Sequence, residues 1–351
     1  MNPVELQDRI HASLCLAGMG DALGAPTEQW GIEEILAVHG GLVRRFVAPT
    51  EDTFAGALGG QRAEVTDDTS QMVYLARVLA RDGGRLDAST WVACLLDWAA
   101  TSPKATFMGP STLGIVRALQ AGQDIARVGT IGQSLRKMTT VGNTNGAAMR
   151  VAPCGLVKPA RPEEACELAV VTCQPAHDTD VAMSAACAVA AGCAVAVGGG
   201  TLSEVIQASL AGARWGERRG REQARHVPGP RTPVRMERAL AIAASPHADD
   251  EAFLQALAAE VGTSVLAAES VPAALGVLAY AQGDPLRTIS LGASIGNDTD
   301  TIAAMAGALS GALAGTARLP QDLLAEFRAV NEGLYGLEPL AAALARCAME
   351  R

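Results

Sequence analysis

Aromatic side chains are scarce: 5 Phe, 3 Tyr and 4 Trp among 351 residues, or 3%. So few rings argue against a base-stacking platform for single-stranded nucleic acid. Basic residues are also in deficit, 28 Lys plus Arg against 37 Asp plus Glu, and the formal charge of −9 repels phosphate backbones and anionic lipid. Nucleic acid and membrane surfaces are therefore not expected as partners. The eight Cys form no CxxC pair, and Cys187 and Cys193 lie in Ala-rich runs where a thiol behaves as a small core residue. This usage reads as a reduced, cytoplasmic protein. Glu5, Asp8 and Arg9 precede the first short apolar stretch, the wrong charge order for a signal peptide. Low-complexity linkers, internal repeats and long runs of alternating polarity are missing as well, and the one strand candidate is short, Leu42 to Val47.

What the chain has is apolar content, 49%, dominated by Ala and Gly, with only 19% charged residues. That supports a large core. The length would allow two domains, but polar, Gly-containing joints recur every 10 to 25 residues without a linker, so a single domain over 1–351 is expected. Helical signals dominate. Asn2 and Pro3 predict a first helix to about Gly18. Apolar spacing or start and stop residues predict helices over 69–81, 89–99, 109–120, 162–171, 180–197, 202–214, 233–243, 248–261 and 320–348. The fold class is all-α. The uncharged run from Val181 to Ser203 is long enough for a bilayer but lacks a basic flank and ends in three Gly, so it reads as a buried helix. The Arg-rich stretch from Trp215 to Arg235 reads as a solvated loop.

Three carboxylate clusters lie where loops meet helices: Gly20-Asp21 through Glu28, Thr66-Asp67-Asp68-Thr69, and Gly296-Asn297-Asp298-Thr299-Asp300-Thr301. Singly, each is accounted for by helix capping, because Asp and Thr stabilise the positive end of a helix. A second carboxylate beside the first fits capping less well, since one side chain suffices and the other adds repulsion. A hard divalent cation would neutralise them, with carboxylates, hydroxyls and waters in an all-oxygen shell suited to Mg²⁺ or Mn²⁺. None of the five His and none of the Cys lies in these clusters, which disfavours zinc. Gly307, Gly311 and Gly315 recur every four residues after the third cluster, a smooth stripe that lets another backbone approach. The Asp pair would then open a deeply buried helix, where unpaired carboxylates are expensive. A fourth segment, Gly142 to Arg150, is a small-residue loop able to offer backbone N–H groups to phosphate or ribose oxygens, or simply to turn. His177 stands just before the long Ala-rich run.

In this order, Gly-Asp-x-x-Gly-x-x-x-Glu from Gly20, Thr-Asp-Asp-Thr from Thr66, Asn-Gly-x-x-Met-Arg from Asn145 and Gly-x-Asp-x-Asp-Thr from Gly296, the motifs resemble the ADP-ribosylglycohydrolase family. The resemblance spans residues 20 to 315. It implies a compact orthogonal helical bundle holding two divalent cations, Mg²⁺ or Mn²⁺, that cleaves a bond at the anomeric carbon of a ribose. Carried over, it implies a metal shell of Thr66, Asp67, Asp68, Asp298, Asp300 and Thr301. Glu28 would move protons, with Asp68 also counted as catalytic. Asn145, Gly146, Met149, Arg150 and His177 would bind substrate. The substrate would be an ADP-ribosylated protein or a small riboside; a nucleoside hydrolase and a non-catalytic ADP-ribose binder are the alternatives. Retention of Glu28, Asp67, Asp68, Asp298 and Asp300 argues against the binder.

Overall fold

The computed structural model describes residues 2–350 apart from 129, 131, 132 and 135–139. Among the described residues the chain is helical, with two isolated β-bridges, Thr144 to Leu266 and Thr179 to Arg225, and no strand. The segment 42–47 is irregular, so the expected strand is corrected: Val43 and Phe46 are buried one at a time among helices, and the Val43 N–H goes to the Ser294 hydroxyl, not to a neighbouring strand.

The first helix starts as expected, Asn2 accepting the Glu5 N–H and Pro3 at its first position, but runs to Gly24. Its glycines are contact points. A Cβ on Gly20 would lie 2.4 Å from the Ala303 carbonyl, and one on Gly24 would lie 2.5 Å from Asp300 Cα. From the other side, a Cβ on Gly307 would meet the Leu16 carbonyl at 2.5 Å and one on Gly311 the Ala12 carbonyl at 2.3 Å. The helices Pro3–Gly24 and Thr299–Ala314 are thus zipped antiparallel, backbone against backbone, as the Gly stripe suggests. This pairing sets the end of the first helix beside the start of the other.

A second pair repeats the device. Asp180–Val197, which takes in most of the uncharged run Val181 to Ser203, is buried in the core as expected. Leu202–Gln223 packs along it, and Cβ atoms on Gly212, Gly216 and Gly220 would lie 2.4 to 2.5 Å from Cys187, Met183 and Asp180 backbone. The Arg-rich stretch is therefore divided: 215–223 ends this helix, 224–231 forms a loop, and 232–235 begins the helix Thr232–Ala244. The expected helix 320–348 is two, Gln321–Tyr335 and Leu337–Met349, parted at Gly336 with φ of 60°. Apolar side chains from Leu6 to Ala348 join one core cluster, in which every Cys but Cys347 takes part as a free, buried thiol.

Candidate active site

The three clusters converge on one cleft. Thr66 caps the helix Asp67–Arg81 by accepting the Asp68 N–H at 3.3 Å. Asp21, reaching over from the first helix, accepts the N–H groups of Thr66 and Thr69 at 3.1 Å and the Thr69 hydroxyl at 2.5 Å. Those two residues supply the side-chain bonds to this helix start, which leaves Asp67 and Asp68 surplus to capping. Asp298 precedes Thr299–Ala314 but makes no capping bond; its Oδ2 accepts the Asn145 amide at 2.5 Å. Gly296 and Asn297, with φ of 79° and 66°, make the tight turn into this helix. Gln29 and Trp30 pair with Asn297 through N–H···O bonds of 2.7 and 2.9 Å, fixing the strap that carries Glu28 beside Asp298.

The result is a concentration of negative charge. Carboxylate oxygens of Glu28, Asp298 and Asp300 lie within 4.8 Å of one another. Asp67, Asp68, Asp300 and Thr301 line the same cleft. Burial, then repulsion by Asp298, pushes the Glu28 carboxyl up to about 8. Burial likewise raises Asp298 to about 6. Asp67, Asp68 and Asp300 are driven well above the ordinary carboxylate range, by burial first and neighbouring carboxylates second. Asp68 Oδ2 and Asp300 Oδ1 are buried without any hydrogen-bond partner. Such oxygens cost about 1–3 kcal/mol each, more when charged. An oxygen-only donor set with orphaned lone pairs fits a hard divalent cation.

The cleft encloses about 80 Å³, room for several waters or ions. Wider grooves exist, such as one of about 590 Å³ beside Trp215. That groove lies on the outer surface among Arg and Glu side chains, away from the carboxylates; chemistry, not volume, marks the site. Asn145, Gly146, Met149 and His177 line the carboxylate cleft. Their loop is pinned by the Asn145 N–H to the Val265 carbonyl at 2.9 Å and by the Asn145 amide to Ser270 at 2.9 Å. Two residues read from sequence stand elsewhere. Thr66 keeps its hydroxyl on the helix cap and does not line the cleft. Arg150 is fully buried, its guanidinium over the Trp91 ring at 4.9 Å, and does not line the cleft.

Glu28, expected outside the metal shell, has a carboxylate oxygen within 4.8 Å of those of Asp298 and Asp300. Sequence reasoning missed Phe54, Phe107 and Thr112, and reached Thr144 only as part of the Gly142–Arg150 loop. The two rings meet edge to face at 5.8 Å across the mouth, where Phe54 is 44% exposed. Scarcity of aromatics was itself a signal that could have drawn attention to them. Gly109-Pro110, which begins the helix Pro110–Gln120 at the cleft, reads as an ordinary helix start and carries no local sign of the site.

Comparison with known proteins agrees with this geometry. The ADP-ribosylglycohydrolase sequence profile matches residues 2–350. YegU, an uncharacterized protein of Escherichia coli strain K12, is 32% identical over 328 residues, 93% of each chain. An uncharacterized protein of Archaeoglobus fulgidus is 34% identical over 145 residues, 41% of each chain. In three dimensions the fold is that of a solved ADP-ribosylglycohydrolase-related protein complex, with a TM-score of 0.66 at 22% identity, covering 99% of this chain and all of the other. With its profile matched almost end to end and its carboxylate motifs gathered into one cleft, the chain belongs to the ADP-ribosylglycohydrolase family.

Proposed function

We propose that the chain is a metal-dependent hydrolase cleaving the bond between the anomeric ribose carbon and its leaving group in ADP-ribosylated proteins or small molecules. The observation that carries this reading is the pair of orphaned oxygens, Asp68 Oδ2 and Asp300 Oδ1, inside a cluster of five carboxylates. Asp67, Asp68, Asp298, Asp300 and Thr301 would hold two Mg²⁺ or Mn²⁺ ions. Bound there, the ions would clamp ribose hydroxyls and lower the pKa of a water. The reaction passes through an oxocarbenium-like transition state, whose positive charge the acidic cleft favours. Glu28, half-buried and held on the strap beside Asp298, would move a proton to or from the leaving group. Asn145 orients Asp298 through its amide, and Phe54 with Phe107 shields the mouth from water. Free thiols at all eight Cys support a cytoplasmic location.

A nucleoside or other N-riboside hydrolase is the second reading, favoured by one observation. Among the described residues lining the cleft there is no Lys or Arg to meet a diphosphate, and Arg150 is sealed off. Product analysis in Mg²⁺ and in Mn²⁺, on ADP-ribosylated peptides, small ADP-ribose conjugates and nucleosides, separates the readings. Release of ADP-ribose supports the first. Turnover of nucleosides alone, with no ADP-ribose binding, moves the function to the second, and no turnover of any contradicts both.

A further inference from the structure

Arg150 leaves an unexplained cation in the core, and its partners give it a task. Its Nη1 donates to Gln71 Oε1 at 2.6 Å, and Gln71 Nε2 donates to Asp67 Oδ2 at 2.8 Å. Its Nη2 lies 3.3 Å from the Thr172 carbonyl and 3.3 Å from His177 Nδ1. A guanidinium only donates, so Nδ1 must accept, and a neutral imidazole then carries its proton on Nε2. Nε2 faces Thr144 Oγ1 at 3.1 Å, and the Thr144 hydroxyl can pass its own proton on to Ser111 at 2.9 Å. The ring also packs closely against the loop: a Cβ on Gly146 would fall 2.7 Å from Nε2, so only glycine leaves room for it.

Every residue of this chain is buried, and its ends reach the same cleft: Asp67 at the carboxylate floor, His177 and Thr144 at the wall. Burial and the adjacent guanidinium hold His177 well below its usual range, in keeping with the neutral ring. Gln71 touches both the carboxylate and the cation. Because its carbonyl is taken by Arg150, its amide nitrogen is obliged to face Asp67.

We propose that Gln71 and Arg150 are positioning residues that tie the metal-holding Asp67 to the substrate-facing His177 and fix His177 as the neutral Nε2–H tautomer. The Gln71 limb rests on the reading that Asp67 holds metal; the tautomer limb does not. Removing an outer partner of a metal-bound carboxylate lowers metal affinity by about 10–100-fold.

The test uses the full chain labelled with ¹⁵N-histidine, His177 being assigned by loss of its signals in His177→Gln. At about pH 7, long-range ¹H–¹⁵N spectra should show His177 in a single Nε2–H form. Arg150→Lys, which keeps a donor, should retain that form, and Arg150→Met should lose it. A Nδ1–H or imidazolium His177 in the wild type overturns the proposal. Should Arg150→Met fail to fold, Gln71→Met gives the second reading, by calorimetry with Mn²⁺ alone. Its affinity should fall by about 10–100-fold, and an unchanged affinity overturns the relay. Wild type that takes up no Mn²⁺ would remove the metal reading and the Gln71 limb together, while the tautomer spectra would still judge Arg150 and His177.

Discussion

Two antiparallel helix pairs in this protein are built alike and end differently. In both, glycines spaced four apart bring one backbone onto another, Gly307 and Gly311 on the first helix, Gly212, Gly216 and Gly220 on Asp180–Val197. In both, a buried aspartate opens a helix at the end of the zipper, Asp300 in one and Asp180 in the other. Asp180 is fully provided for. It accepts the N–H groups of Val181 and Val227 at 3.0 and 2.9 Å and meets His226 Nδ1 at 2.6 Å. Asp300 instead keeps an orphaned oxygen and faces further carboxylates. The same packing device thus makes a structural joint when the partners are present and a reactive site when they are withheld. Burial alone is therefore no sign of function; what sets Asp300 apart is an orphaned oxygen facing further carboxylates in one cleft.

The largest expected difference comes from exchanging the two aspartates for alanine. Asp300→Ala should abolish turnover and Mn²⁺ binding while leaving metal-free stability unchanged or improved, because it removes repulsion. Asp180→Ala should keep turnover per folded molecule and lose about 1–3 kcal/mol, from buried N–H groups left unpaired. Chemical denaturation with activity assays on both variants reads this out. Equal behaviour of the two would dissolve the contrast.

Next in size is Glu28. Glu28→Gln should slow turnover by about 10²–10⁴-fold, the worth of a positioned acid or base. Mn²⁺ calorimetry on the same variant sharpens the assignment. Affinity within a few-fold of wild type is expected, and loss of binding would place Glu28 in the shell with Asp298 and Asp300.

The zippers themselves offer a matched pair. Gly24→Ala would press a methyl against Asp300 Cα, and Gly220→Ala would press one against Asp180 Cα at 2.4 Å. Each should cost about 1–3 kcal/mol of overpacking, but only Gly24→Ala should also weaken Mn²⁺ binding.

The smallest effect is in pH. The carboxyl of Glu28 ordinarily titrates near 4.5 and is held at about 8 in the fold, so the metal-free native state keeps a proton that the unfolded chain has released. Its stabilising contribution is whole below the lower value and lost as pH rises through the upper. Melting temperature in chelator should therefore fall between about pH 5 and 8. Saturating Mn²⁺ should reverse the slope, since it binds the deprotonated carboxylates. A flat profile in chelator would mean the cluster is not held protonated.

Much of this was legible in sequence where chemistry is local. The Asn2-Pro3 start acts within a few residues and the Gly307–Gly311 spacing shows a smooth helix face, both as expected, whereas Thr66, expected in the metal shell, caps a helix. Glycine misled where its meaning depends on a partner. Gly18 looked like a stop but packs near the Phe327 ring, and the helix continues to Gly24. Of the glycines that carry the second zipper, Gly212 falls in the expected helix 202–214, but Gly216 and Gly220 lie among Arg residues whose composition reads as a loop. Leu42–Val47 has strand-like residues and no neighbouring strand to pair with. Within the site, the motifs named the residues now gathered at the cleft, yet they could not show which way Arg150 points. That direction is set by Gln71, Trp91 and Thr172, each distant in sequence. Phe54 and Phe107 join across the mouth from segments that show no pattern of their own.

The central claim is that orphaned carboxylates, and not buried ones in general, make the cation site. Its most direct test is calorimetric titration of metal-stripped protein with Mn²⁺, on wild type, Asp300→Asn and Asp180→Asn. The account predicts saturable binding approaching two ions per chain in wild type, retained in Asp180→Asn and lost or halved in Asp300→Asn. Wild type that binds no Mn²⁺, or binding that survives intact in Asp300→Asn, would contradict it.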